Sequence, residues 1–351
     1  MAKKRFYRLR SIERVLGKGE LEKQEIYFAS PSELNDPMEG FRNIVFKGDE
    51  IVWQNFFKYY LVCLEKTFFV CEVFRNTNNF NVEDYISINP RDNHFMMPNI
   101  HHDEIYKEFI KKCGGFIKKL AKRAANIGME ELKTYFNKIH LIALQIIHSK
   151  YEKLGYINYI EKADSRMPSI NMDTKIIDVM EEKIITYGGY YKKIIHISCH
   201  IDDAIKWYTK LSTIELVSNP KYNNSSFLFF DFVNFYLKSI EKFIYPECYI
   251  ASFMEECHNS SVWGHYAKGH SGICLIFEVD EKIELEKVNK SNTSSNERCL
   301  EFKEVIYNDD FEEIDFFNML WGMSDASLYR FYSDENGNLS PIGKTIYAKY
   351  R

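Results

Sequence analysis

Proline is scarce, 8 in 351 residues, and so low a share excludes a proline-rich linker or a collagen-like chain. The 8 cysteines, Cys63, Cys71, Cys113, Cys199, Cys248, Cys257, Cys274 and Cys299, never form a C-x-x-C pair, so ligand spacing of the zinc type is missing. No apolar run approaches the roughly 20 residues that a spanning helix needs. The most membrane-like stretch, 227–237, is broken by Asp231 and Asn234, and no membrane partner is expected. Neither sign of charge prevails. Lys and Arg number 46 against 50 Asp and Glu, a net charge of −4, so no global basic bias advertises nucleic acid. Met1 to Arg8 carries basic residues with no apolar run behind them, which leaves out a secretory signal. Reduced thiols and a cytoplasmic location are the expectation. No G-x-G-x-x-G or Walker pattern lies between a strand and a helix, which argues against the standard dinucleotide and P-loop folds.

What the chain has in excess is aromatic surface: 27 Phe, 24 Tyr and 4 Trp make up 16% of it. Phe6 to Leu9 alternates apolar and basic residues as a strand does, and Ser11 is placed to cap a short helix ended by Gly17 and Gly19. Glu25 to Ala29 is a second strand candidate. Between about 102 and 187 the texture changes. Ile105, Phe109, Phe116 and Leu120, then Leu132, Phe136, Ile139, Ile142 and Ile146, recur at the spacing of amphipathic helices. Strand texture returns at Ile194–Cys199, followed by helices near 202–217 and 225–243 and then by Cys248–Phe253. Gly272–Val279 is the strongest strand signal, with Glu301–Tyr307 expected after it. The expected fold is α+β, a mixed sheet core built from both ends of the chain with a mainly helical insertion. Its parts are residues 1–100 and 191–351 for the core and 101–190 for the insertion.

Three clusters could carry chemistry. In a strand over residues 6–10, Arg8 and Arg10 share one face, and two guanidiniums on one face suit a bidentate clamp for phosphate or carboxylate. A salt bridge to a glutamate would use them equally well. In the second cluster, Tyr27 and Ser30 lead into a turn at Asn35, Asp36 and Pro37, with Glu39 beyond. Paired acids such as Asp36 and Glu39 suit acid–base or metal work, although Asp36 could do no more than bond its own backbone. The third cluster is the densest: Trp263, His265, Tyr266, His270 and Gly272, entering the Ile273–Val279 strand. His265 and His270 are five apart, about 140° on a helix, which excludes a one-face metal pair. Three glycines in nine residues imply a tight bend or a close backbone approach. A lysine-rich run from Lys111 to Arg123 reads as a solvated helix face and is the only local patch suited to a polyanion.

Together F-Y-R-L-R-S, I-Y-F-A-S-P-S-E-L-N-D-P-M-E-G and V-W-G-H-Y-A-K-G-H-S-G-I-C-L-I-F-E-V-D resemble the bacterial domain-of-unknown-function family 2971. The resemblance covers roughly 5–41 and 248–307. It implies functional weight for Tyr7, Arg8, Tyr27, Ser30, Asn35, Asp36, Pro37, Glu39, Trp263, His265, Tyr266, His270 and Gly272. It also implies a later tryptophan followed by a glutamate-x-glutamate-x-arginine segment, which the residues up to Arg351 do not contain.

Two functions follow as expectations. By analogy of motif order, the parts suit an ADP-ribosyltransferase-like enzyme acting on NAD. Arg8 or Arg10 would hold ribose or phosphate, and Tyr27 would stack on nicotinamide beside Ser30. A glutamate would stabilise the oxocarbenium-like transition state by charge. That glutamate would come from the missing segment or, failing that, from Glu39 or Glu278. A hydrolytic variant would use Asp36, Glu39 and His265 on a nucleotide. The alternative is a binding or regulatory protein whose pocket, lined by the arginines with Asn35, Trp263, Tyr266 and His270, recognises a nucleotide or an acidic partner. Oligomeric state and a role for nucleic acid stay open.

Overall fold

The computed structural model describes residues 4–30, 33–34, 42–74, 77, 80–89, 100–157, 186, 195, 200, 203, 226–244, 249–279, 282–285, 298–307 and 312–350. In chain order the elements used below are β1 (Lys4–Arg10), β2 (Asn43–Phe46), α1 (Glu50–Val73), α2 (His102–Ala121), β3 (Ile127–Gly128), α3 (Met129–Lys153), α4 (Phe232–Ile244), α5 (Ser260–Tyr266), β4 (Ile273–Val279), β5 (Lys282–Leu285), β6 (Arg298–Glu301), β7 (Glu313–Asp315), α6 (Asp325–Tyr332) and α7 (Pro341–Tyr350). The architecture is mixed α+β. It divides into two units, one from Met1–Phe41 with Glu247–Phe311, the other from Arg42–Pro246 with Glu312–Arg351.

The first unit is built where the chain's start meets its later part. β1 and β4 pair antiparallel over their whole length, from Lys4 opposite Val279 to Arg10 opposite Ile273. β4 (ICLIFEV) is rich in branched and aromatic residues that pack well on a pleated surface. On the other edge of β1, Tyr7 and Met254 exchange both backbone hydrogen bonds at 2.8 Å. The core is small and aromatic. Phe6 stacks on Phe302 at 3.8 Å, while Phe253 meets Phe277 and Phe302 edge-on at 5.2 and 5.0 Å. A π-helical turn at Glu13–Gly17 follows β1. The Ser11 carbonyl accepts from the Arg14 and Val15 amides, and Gly19, at φ 73°, ends the excursion as glycine readily can.

The second unit is helical and holds most of the described aromatic rings. Its centre is α1, which starts where the Asp49 carboxylate accepts from the Val52 amide at 3.0 Å. The other oxygen of Asp49 accepts from Ile342 in the first turn of α7 at 3.2 Å, so one side chain caps two helices. α1 packs against α2, α3 and α6 and buries residues on every face. Phe56 alone has rings on several sides, among them Phe46, Phe136, Tyr236 and Phe317, and such pairs add about 0.5–1.5 kcal/mol each beyond area burial. β2 pairs antiparallel with β3 and parallel with β7.

Polar groups inside this unit are bonded in chains. The Tyr60 hydroxyl meets His140 Nδ1 at 2.7 Å, and His140 Nε2 meets the Leu228 carbonyl at 2.6 Å. A carbonyl only accepts, so Nε2 carries the proton and Nδ1 accepts from the tyrosine. Deeper along α1, the Glu65 carboxylate accepts from His102 Nδ1 at 2.8 Å and from the Tyr151 hydroxyl.

Several local expectations change. Glu25–Ala29 is no strand: only Ala29 pairs, in a single bridge to Ile250, and residues 251–253 are likewise irregular between that bridge and the one at Met254. Each segment contributes one bonded residue where a ladder needs several. The strand expected at Glu301–Tyr307 ends at Glu301, the last residue of β6. Beyond it Val305, Ile306 and Tyr307 are exposed, so that apolar run has no sheet to enter. Of the strand expected at Ile194–Cys199 only Ile195 is described, and it is helical and buried. The helix expected near 202–217 lies outside the described residues except for Asp203. The helix expected near 225–243 is present as a π-helical turn at Phe227–Asp231 leading into α4.

Candidate functional site

The first cluster gathers around Tyr27. Arg8 is only 8% exposed. Its guanidinium donates to the Tyr27 carbonyl at 2.6 Å and lies over the Phe253 ring at 5.4 Å. Burial first, then the neighbouring Arg10 and Arg14, lower the Arg8 pKa to about 10, against the opposing pull of Glu20. Arg10 turns instead to Glu20, with Nε and Nη2 donating to the two carboxylate oxygens at 2.9 and 2.5 Å. The two arginines therefore do not form one open clamp: Arg10 is already engaged in a fork of its own, and Arg8 holds the backbone that carries Tyr27.

Tyr27 is 41% exposed. The Arg14 guanidinium covers its ring at 5.4 Å, and its hydroxyl donates to Glu33 Oε1 at 2.8 Å. The other Glu33 oxygen accepts from the Ser30 amide and hydroxyl at 2.9 and 3.0 Å, while the Glu33 amide donates to the Ser30 carbonyl at 2.9 Å. The Glu33 carboxylate reaching back to the Ser30 amide is one half of a capping box; the other half is absent, because the Ser30 hydroxyl donates to the carboxylate and the Glu33 amide bonds the Ser30 carbonyl. Glu33 is the residue that reading the sequence overlooked, and Ser30-x-x-Glu33 was the signal that could have found it.

The bonds to Glu33 have a pH consequence. The Ser30 amide first, then the Tyr27 and Ser30 hydroxyls, hold its carboxyl below the usual range, and Glu33 in turn pushes the Tyr27 phenol up. A carboxyl depressed in the folded state contributes its stabilisation above the ordinary carboxylate range and loses it as pH falls through the depressed value. The Tyr27 ring resonances should therefore shift in a proton NMR titration carried below the normal range of glutamate. Glu33→Gln should abolish that step, and a step at the ordinary glutamate position would contradict the bonding described.

The Trp263–Gly272 cluster is ordered by α5. Asn259 Oδ1 accepts from the Ser261 and Val262 amides, which starts the helix, and half-buried Trp263 donates Nε1–H to the Cys257 carbonyl at 2.6 Å. His265 and Tyr266 are exposed at its end. Lys268, Gly269 and His270 then all take positive φ, 49°, 63° and 65°, an uncommon backbone for two residues that bear side chains. His270 has left the helix, and its ring faces Gly264, where an added Cβ would lie 3.4 Å from Nε2. At Gly272 an added Cβ would stand 2.4 Å from the Arg10 carbonyl oxygen and 2.8 Å from Ala267. That glycine is what lets the turn close onto β1.

Arg8, Arg10, Tyr27 and Ser30 are thus linked to one another through Glu20, Glu33 and Arg14, and Trp263, His265, Tyr266 and His270 are set by α5 and its turn. The two groups share the β1–β4 ladder, with Arg8 opposite Leu275. No hydrogen bond or ion pair among the described residues joins His265 or His270 to Arg8, Arg10 or Tyr27. Asn35, Asp36 and Glu39 lie outside the described residues. Among those described, no group of three His, Cys, Asp or Glu side chains is placed to hold a metal ion, and no helix is long and apolar enough to cross a membrane.

Residues 262–339 match the model of a family described as a protein of unknown function, DUF2971. That match covers under a quarter of the chain. It opens inside α5, takes in the Trp263–Gly272 motif and β4, and runs through β7 and α6. The arginine and tyrosine motifs of the first 41 residues lie before it. No curated protein and no solved structure matched the chain.

The helical unit holds a separate cleft of about 230 Å³ lined by Lys47, Asp49, Leu120, Arg123, Ile127 and Ile342 among others. The lysine-rich run borders it but is divided in use. Lys111 and Lys118 reach Glu108 and Glu50 at 3.9 and 3.8 Å, while Arg123 turns inward to Glu131 and Tyr135. Only part of that run is left as a cationic surface.

Proposed function

We propose that the first unit is an anion-recognition module whose ligand presents a phosphate or carboxylate beside a planar ring, as a nucleotide does. The observation that carries this reading is charge around Tyr27. Among the described residues, three guanidiniums (Arg8, Arg10 and Arg14) gather there against two carboxylates, Glu20 and Glu33, and burial first, then Arg10 and Arg14, lower the Arg8 pKa. A partly desolvated cation excess attracts an anion more strongly than a solvated one would. Arg14 covers one face of the Tyr27 ring, and the exposed remainder of the ring suits stacking by a base.

A transferase acting on NAD is the second reading, and the position of Glu33 favours it. Glu33 gives the cluster a carboxylate beside Tyr27 and Ser30, where the sequence alone points to Glu39 or Glu278. A carboxyl held ionised there could stabilise a positive oxocarbenium centre by charge.

Titration calorimetry of the full chain with ADP, ADP-ribose and NAD tests the first reading. Binding should weaken at least about tenfold in Arg14→Ala or Tyr27→Ala, the order expected for losing a charge-assisted or stacking contact. It should also weaken as salt rises. Absence of binding by all three ligands, or affinities unchanged in both variants, would discard it. Nicotinamide release from NAD separates the readings: a transferase releases it and Glu33→Gln stops the release while binding persists, whereas a binding module releases none.

A further inference from the structure

We propose that α2 presents a docking face for the sugar–phosphate backbone of a double-stranded nucleic acid. The chain as a whole is slightly acidic, at −4, so the cationic excess is local to this helix. Lys107, Lys111 and Lys118 are exposed and lie within about 40° of one another around the helix axis. Exposed Lys122, at the C-terminal cap, extends the row to about 22 Å. Lys112, also exposed, stands beside it. The row runs on toward the start of α1. Lys118 lies 3.8 Å from Glu50 in the first turn of α1, and exposed Lys47 precedes that turn. Asp103 and Glu104, in the first turn of α2, bound the row at its other end.

These charges are not engaged inside the protein. No hydrogen bond or ion pair among the described residues holds Lys107, Lys112 or Lys122. Glu104, whose carboxyl also feels Lys107, is bonded to Lys150. Lys111 stands 3.9 Å from Glu108 and Lys118 3.8 Å from Glu50, beyond hydrogen-bond reach. Their side chains are 77% and 63% exposed. Solvated pairs of this kind contribute little, and a phosphate can displace the carboxylate. Arg123 is the exception, turned inward to Glu131. The face is therefore made of lysines, which take phosphate as point charges.

The composition of the face selects among polyanions. A single strand is gripped by aromatic platforms on which its bases stack, but the rings of α2, Tyr106, Phe109 and Phe116, are all buried. A helix that lies on a membrane inserts apolar residues beside its basic ones, and Ile105, Ile117 and Leu120 are buried as well. What remains on the surface is a row of charges. It suits a rigid ladder of phosphates, held without regard to base sequence. This inference concerns the helical unit alone and does not depend on the ligand proposed for the first unit.

Fluorescence anisotropy of the full chain with a labelled DNA duplex of about 20 base pairs, longer than the row, tests this. Binding should be independent of base sequence. With four phosphates neutralised, it should weaken about 100-fold between about 50 and 200 mM salt. Lys111→Glu with Lys118→Glu should weaken it at least about tenfold, since two phosphate contacts are lost. Both side chains are exposed, so the circular dichroism of that variant should match the wild type. Lys111→Arg with Lys118→Arg keeps the charge and should keep the affinity. Lys138→Glu with Lys153→Glu alters net charge equally from exposed positions on α3. Screening confines such charges to about 10 Å, so that variant should stay within about threefold of the wild type. Three results would each overturn the proposal: no binding at the lower salt, equal losses in the α2 and α3 reversals, or a preference for single strands or phosphatidylserine vesicles over the duplex.

Discussion

Glu65→Ala should lower the stability of the helical unit by about 3–5 kcal/mol, the range for removing one member of a buried charged or strongly polar pair. Glu65 and His102 are 1% and 0% exposed, so water cannot replace what the mutation takes away. The carboxylate accepts from both His102 Nδ1 and the Tyr151 hydroxyl, and it thereby joins α1, α2 and α3 at one point. His102 Nε2 already has no hydrogen-bond partner among the described residues; the substitution would leave the whole imidazole without one. Urea unfolding of the full chain, followed by far-ultraviolet circular dichroism, measures the loss. Glu65→Gln keeps an acceptor for Tyr151 and a group facing His102, so it should lose less than half as much. A midpoint for Glu65→Ala that corresponds to a loss under about 0.5 kcal/mol, the ordinary range of a surface change, would show that the three-helix junction is not held by this carboxylate.

The other large effect belongs to the first unit. Gly272→Ala places a Cβ 2.4 Å from the Arg10 carbonyl oxygen and 2.8 Å from the Ala267 Cα and Cβ. The nearest atom is backbone at the end of the β1–β4 ladder, so no flexible side chain can move aside. Overpacking of this kind costs about 3 kcal/mol, enough to open a unit whose core is a few aromatic rings. Native-state hydrogen exchange localises the damage. Amides of β1 and β4 should lose protection while those of α1 keep it, because the two units have separate cores. Gly264→Ala is the matched control: its new Cβ meets only His270 Nε2, at 3.4 Å, and protection should change little. Equal protection in Gly272→Ala and the wild-type protein would mean that the turn does not need this close approach.

Both predictions rest on features of different legibility in the sequence. The glycine was readable, since three glycines beside a β-rich run announce a close backbone approach. α2 and α3 were readable because each keeps one face polar and so shows its period. α1 was not, although it is the centre of the helical unit. Its apolar residues surround the axis, and a helix buried on all sides has no stripe to betray it. The pairing of Arg10 with Glu20 could not be foreseen from spacing, because the π-helical turn between them decides it. Glu33 could have been foreseen, as Ser30-x-x-Glu33 is a local signature. The paired acids Asp36 and Glu39 carry the more conspicuous acid–base signal in the same stretch. The strand expected at Glu25–Ala29 shows the opposite error: its composition suits a sheet, but a strand also requires a partner, and the fold supplies only Ile250.

The double cap made by Asp49 also sets how the helical unit comes apart. Its two oxygens hold the first turn of α1 and the first turn of α7, which lie almost the length of the chain apart. Removing that carboxylate loosens both ends in the same event, so fraying at α7 is coupled to fraying at α1. Helix ends ordinarily open locally and at little cost. Here the last segment of the chain shares its opening free energy with the innermost helix, and the two should exchange their amide hydrogens as one cooperative group.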